Sequence, residues 1–94
     1  MKVTVMRTNG TEETVEIPKG DYILPDIYKL INCDCIDIVR LRRDKKIMLV
    51  DDNGLAKGLP RNVVATRLYR SVCLPGTTGF IVGDVALVDE EDFQ

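Results

Sequence analysis

The sequence predicts an α+β domain of order ββαββαβ, a mainly antiparallel sheet with two helices packed on one face. Three observations carry this expectation. Apolar and polar residues alternate in several short runs, as in half-buried strands. Two other runs repeat apolar residues every three or four positions, as in amphipathic helices. Turn-forming dipeptides fall between these runs. The 94 residues, 45% hydrophobic and 30% charged, suit one core and no more. Residues 1–88 are assigned to a single domain and 89–94 to an acidic C-terminal tail.

Val3-Thr4-Val5-Met6-Arg7 alternates, Val15 and Ile17 resume the alternation, and Asn9-Gly10 accepts the positive φ of a tight hairpin turn. Pro18-Lys19-Gly20 ends the second strand. Asp21 can cap a helix over residues 22–32, in which Leu24, Ile27, Tyr28 and Ile31 share a face. Pro25 must fall in the first turn, since deeper inside it would remove a helical hydrogen bond. Ile36, Ile38 and Leu41 mark a third strand with Asp37, Arg40 and Arg42 on its other face; a bulge is expected near Val39, where the alternation slips. Arg43-Asp44-Lys45-Lys46 is a charged turn into Ile47-Met48-Leu49-Val50, an apolar run typical of a strand covered on both sides.

Asp51-Asp52-Asn53-Gly54 is the strongest turn signal. Asn62, a favoured N-cap, stands just before a second helix beginning at Val63. Val64, Leu68 and Val72 face its core side, Ala65 permits close approach, and Arg67 and Arg70 share the exposed side. Pro75-Gly76-Thr77-Thr78-Gly79 breaks the chain before a last strand from Phe80 to Val88, where Gly83 marks a bulge or a close backbone approach. Asp89-Glu90-Glu91-Asp92 reads as a solvated, frayed tail.

Composition removes several classes of function. There is no histidine, so no imidazole can act as a base within this chain, and no catalytic residues are assigned. Ser71 and Cys73 lack such an activator, and Asp51-Asp52 is explained by its turn. Cys33-x-Cys35 has no second Cys or His pair, so the cysteines, Cys73 included, read as buried structural thiols; no metal and no cofactor are expected. No run approaches the roughly 20 apolar residues of a membrane span, and the N-terminus lacks a signal-peptide core, which points to the cytoplasm.

Charge supplies the positive signal. Residues 36–70 hold nine cations against four anions, whereas the remainder of the chain carries four cations against eleven anions. If the second hairpin and second helix lie together, their basic groups attract a phosphate-bearing ligand despite the acidic total; the alternative is a set of ordinary solvated side chains. The start of the second helix also suits an anion, with Arg61 beside Asn62 and Thr66 one turn on, although Asn62 can equally do no more than cap its own helix. Candidate ligand contacts are Arg61, Asn62, Thr66, Arg67 and Arg70, with Tyr69 as a base contact. Gly76-Thr77-Thr78-Gly79 has neither the Walker pattern nor a following helix. A pI near 5.0 and the acidic tail oppose binding of a nucleic-acid polymer.

Val15-Glu16-Ile17-Pro18, Ile36 to Leu41, Asn53-Gly54-Leu55, Leu59-Pro60-Arg61-Asn62-Val63-Val64-Ala65-Thr66 and Ile81-Val82-Gly83-Asp84-Val85 together resemble a small uncharacterised domain family of phages, plasmids and bacterial genomes. The most specific part is Leu-Pro-x-Asn-x-x-Ala-Thr followed by Gly-Asp in the last strand. The resemblance implies a phage or mobile-element setting in a bacterial host, where small non-enzymatic proteins counter host immunity, and carries no catalytic residues with it. Two expectations follow. The protein is either a homo-oligomeric sponge, dimeric or larger, that withholds a cyclic or ADP-ribose-derived nucleotide signal, or a protein-binding module that inhibits a host defence enzyme or serves phage assembly.

Overall fold

The computed structural model describes residues 1–17, 24–33, 35–41, 45–72 and 79–93. Its elements are β1 (Lys2–Met6), β2 (Glu12–Glu16), α1 (Leu24–Ile31), β3 (Ile36–Leu41), β4 (Lys46–Asp51), α2 (Val63–Val72), β5 (Val85–Asp89) and α3 (Glu90–Phe93). The five strands form one antiparallel sheet in the order β2-β1-β5-β4-β3. Two hairpins, β1–β2 and β3–β4, thus flank the last strand, which pairs with β1 on one side and β4 on the other.

The first hairpin turns where its sequence demands. Gly10 has φ +90°, its amide donates to Arg7 O at 3.0 Å, and the Asn9 carboxamide oxygen accepts from the Thr11 amide at 3.0 Å. β2 is an edge strand carrying exposed Glu12, Glu13 and Glu16, charges that oppose pairing with another chain. α1 has Pro25 in its first turn and ends at Asn32, whose φ of 53° is left-handed; the Cys33 amide then donates to Tyr28 O at 3.0 Å, closing a Schellman cap. The Asp21 cap, the Pro18-Lys19-Gly20 stop, the Arg42-Arg43-Asp44 turn, Cys73 and residues 75–78 lie outside the described residues, as do the Leu24 and Val72 side chains.

The helices do not share a face. Ile27 and Ile31 of α1 pack with Val3, Val5, Ile47, Leu49, Ala86 and Val88, whereas Ala65 of α2 packs with Met6, Leu41, Met48, Ile81 and Val85. On β1, β4 and β5 these two sets alternate along the strand, so they point to opposite sides of the sheet. The expectation of two helices on one face is therefore corrected: α1 covers one face and α2 the other. The reason lies in β4, whose consecutive apolar residues Ile47, Met48 and Leu49 are all buried and need a cover on each side.

Two further expectations are revised. β3 pairs with β4 residue for residue from Ile36 to Leu41, without a bulge at Val39. The slip in its pattern arises because β3 is an edge strand: Ile38 is exposed on the α1 side, while Val39 and Leu41 join the α2 side. The last strand begins at Val85, and the preceding residues contribute an isolated bridge, Arg61 with Val82. Residues 90–93, expected to fray, form one helical turn whose Glu90 amide donates to Lys45 O at 3.0 Å.

Candidate functional site

The loop into α2 is tied to the loop into β5 by a set of internal hydrogen bonds. Asn62 is fully buried: its Oδ1 accepts from the Ala65 amide at 3.0 Å, capping α2, and its Nδ2 donates to Met6 O at 2.9 Å and Gly83 O at 3.0 Å. The Thr66 hydroxyl accepts from the Ile81 amide at 2.9 Å and donates to Ile81 O at 3.3 Å. Gly83, at φ +78°, donates its amide to Pro60 O at 2.8 Å, and a Cβ there would stand 2.8 Å from Leu59 Cδ1. Asp84 accepts from the Thr8 amide at 2.9 Å and pairs with Arg7. The Leu59–Thr66 stretch and Gly83-Asp84 are thus two halves of one structural clasp. Asn62, proposed as an anion contact, has its amide committed to the protein interior, and Thr66 lends a wall with its hydroxyl already engaged.

Above this clasp the arginines converge. Val63, Thr66, Arg67 and Arg70 lie on one stripe of α2, spaced three, four and seven apart, and with Arg61 they line an open cavity of about 190 Å³. Arg61 sits opposite Val82 across the isolated bridge, which places its guanidinium 4.4 Å from the centroid of the Phe80 ring two residues away. Arg70 Nε donates to Gly79 O at 3.0 Å. Among the described residues no carboxylate lines this cavity, and neither Arg61 nor Arg67 is in an ion pair. Three planar cations around one hollow suit a multiply charged oxyanion, which each guanidinium can meet with paired N–H donors.

Three other basic residues of the positive segment are neutralised locally. Arg40 pairs with Glu90 at 3.5 Å, Lys46 with Asp89, and Lys57 with the buried carboxylate of Asp51 at 2.8 Å. Elsewhere, Arg7 bridges Glu13, Asp84 and the Leu30 carbonyl, and the hydrogen bond it donates to Glu13 raises its pKa above the ordinary arginine value. That cluster closes upon itself and ties the first hairpin to α1 and the Gly83-Asp84 loop.

Tyr69 does not join the arginines. Half-buried against the α2-side core, it lines a separate cavity of about 260 Å³ together with Leu55, Phe80 and the carboxylates of Asp37 and Asp52. The roughly 100° between successive helical residues places it there. Phe80 and Val63, 41% and 52% exposed, are contributors that sequence reasoning missed. Val63 was recoverable, since it stands four residues before Arg67; Phe80 was not, because a contact between residues 61 and 80 exists only after the bridge forms.

Cys33 is half-buried against the core and Cys35 is exposed, with its sulfur 3.8 Å from Asp52 Oδ2, which corrects the expectation of a buried thiol at residue 35. Among the described residues no group of three or more Cys, Asp and Glu is arranged to hold a metal ion. No described helix is long and apolar enough to cross a membrane.

Comparison with known proteins finds the model of one family, a domain of unknown function (DUF3846), matching residues 1–94. No curated protein matches the chain, and no solved structure does.

Proposed function

The chain belongs to the DUF3846 family, a domain of unknown function, and from that premise we propose that it is a non-enzymatic protein that captures a phosphate-bearing small molecule beside α2 and releases it unchanged. The observation that carries this reading is the convergence of Arg61, Arg67 and Arg70 on one cavity that no carboxylate lines among the described residues. The ligand class is a cyclic or ADP-ribose-derived nucleotide, in which adjacent phosphates meet separate guanidinium groups. The phage or mobile-element setting implied by the sequence resemblance gives the biological reading, a cytoplasmic sponge that withholds an immune signal from a host effector.

Effective capture needs nanomolar affinity, about 12 kcal/mol. A cavity of about 190 Å³ is below the roughly 300–1,000 Å³ usual for small-molecule sites. A few exposed hydrogen bonds do not supply such binding, so a second copy of the chain forms the missing wall. Calorimetry with a panel of linear and cyclic nucleotides, followed by recovery of the ligand after heating, tests the reading. Saturable uptake and intact release support it; turnover makes the protein an enzyme.

One observation favours a protein partner instead. Val63 and Phe80 are 52% and 41% exposed beside the arginines, and Leu55, 72% exposed, lines the neighbouring cavity with Phe80, a mixture of apolar and guanidinium anchors found in protein interfaces. Silence across the nucleotide panel selects this second reading.

A further inference from the structure

The cavity beside Tyr69 has the opposite character from the arginine pocket, and the contact between Arg61 of one and Phe80 of the other links them. One face of the Phe80 ring carries the Arg61 guanidinium, and the same residue lines the second cavity of about 260 Å³. That cavity has an apolar floor of Val39, Val50 and Ile81 and an aromatic side wall. Three carboxylates border it. Asp51 is occupied, accepting from Lys57 Nζ at 2.8 Å and from the Asn53 amide at 2.9 Å. Asp37 and Asp52 are exposed, and among the described residues neither is in an ion pair; Asp37 Oδ1 accepts from the Ile38 amide at 3.0 Å and Asp52 Oδ2 from the Cys35 thiol at 3.8 Å, and each carboxylate keeps further lone pairs to offer.

We propose that this second cavity holds the base of the captured nucleotide and that the base is guanine, which within the ligand class above selects a guanine-bearing cyclic nucleotide over the adenine-bearing ADP-ribose derivatives. The inference rests on the nucleotide-capture reading above and deepens it. A flat apolar slot beside a phosphate site suits a nucleobase, which stacks on aromatic side chains whatever its identity. Identity comes from the rim. An ionised carboxylate only accepts hydrogen bonds, so the edge presented to Asp37 or Asp52 must donate. Guanine offers N1–H and the N2 amine side by side, a pair that one carboxylate accepts together. Hypoxanthine lacks the amine, and uracil flanks its single N3–H with two carbonyl oxygens that the carboxylates repel. The same negative rim repels phosphate, so the ligand enters in one orientation, with phosphates on the arginines and base on the acidic side.

Calorimetry with GDP, IDP, UDP and inorganic pyrophosphate tests this, using the intact chain and two variants, Asp37→Asn/Asp52→Asn and Arg67→Glu. GDP should bind at least tenfold more tightly than IDP or UDP. The double Asn variant should bring GDP to the IDP level without weakening pyrophosphate, and Arg67→Glu should weaken all four. Equal binding of the three nucleoside diphosphates, with loss in Arg67→Glu, overturns the guanine assignment and leaves nucleotide capture standing. Absence of binding by all four overturns both. The comparison of GDP with IDP uses only the wild-type chain, so it does not depend on how the variants fold.

Discussion

Asn62 joins three segments through one carboxamide, and its substitution separates the structural from the ligand-binding account of the α2 start. Asn62→Ala removes the cap and leaves the Met6 and Gly83 carbonyls without their buried donor. A cap is worth about 1 kcal/mol and each of the two buried unsatisfied carbonyls about 1–3 kcal/mol, so urea denaturation should show a loss of about 3–7 kcal/mol. Asn62→Asp keeps the capping acceptor yet turns a carboxylate oxygen toward two carbonyls, and should cost at least as much. A loss below about 1 kcal/mol for either variant contradicts the clasp. Arg67 is the converse case, exposed and without an ion pair among the described residues. Arg67→Glu should leave the melting temperature within about 4 °C of wild type while weakening nucleotide uptake, because exposed substitutions away from special contacts stay within about 0.5 kcal/mol.

Elements in this fold are held by close approaches as much as by burial. A Cβ at residue 83 would meet Leu59 Cδ1 at 2.8 Å in a left-handed backbone conformation, so Gly83→Ala should destabilise by about 1–3 kcal/mol in chemical denaturation. Combined with Leu59→Ala, the loss should fall short of the sum of the single losses, the coupling expected of residues in contact. The two-sided sheet predicts a second contrast: Met48→Ala, at a fully buried position under α2, should cost about 2–5 kcal/mol, and Ile38→Ala, on the exposed side of β3, less than 1 kcal/mol. Much at this scale was legible beforehand. Asn9-Gly10 identified the first hairpin, Pro25 fixed the start of α1, and the spacing of Val64 and Leu68 identified the core side of α2. The facing of the helices was misread, although the unbroken run from Ile47 to Val50 already required cover on both sides. The cap at Asn32 was missed because an asparagine in left-handed conformation looks no different in sequence from any other polar residue.

Across the whole molecule, the excess of positive charge in residues 36–70 resolves into two groups. Arg40, Lys46 and Lys57 are answered by Glu90, Asp89 and Asp51, while Arg61, Arg67 and Arg70 line one cavity; among the described residues Lys45 belongs to neither group, and Arg42 and Arg43 lie outside them. Sequence order could show the excess but not this partition, since Glu90 and Asp89 come from the segment read as a solvated tail. Nor could it show that the arginine pocket and the acid-rimmed cavity are linked, because Arg61 meets Phe80 only once the bridge between Arg61 and Val82 forms. If the captured ligand is held by exposed guanidinium groups, its affinity should fall steeply as salt shortens the screening length from about 10 Å at 0.1 M to about 3 Å at 1 M. The most direct test is a titration of GDP into isotopically labelled protein followed by NMR, including the arginine Nε–H resonances. The account predicts saturable shifts at Arg61, Val63, Thr66, Arg67 and Arg70, continuing through Phe80 to Tyr69. A spectrum that does not change, or one perturbed only near Arg7 and the first hairpin, contradicts it.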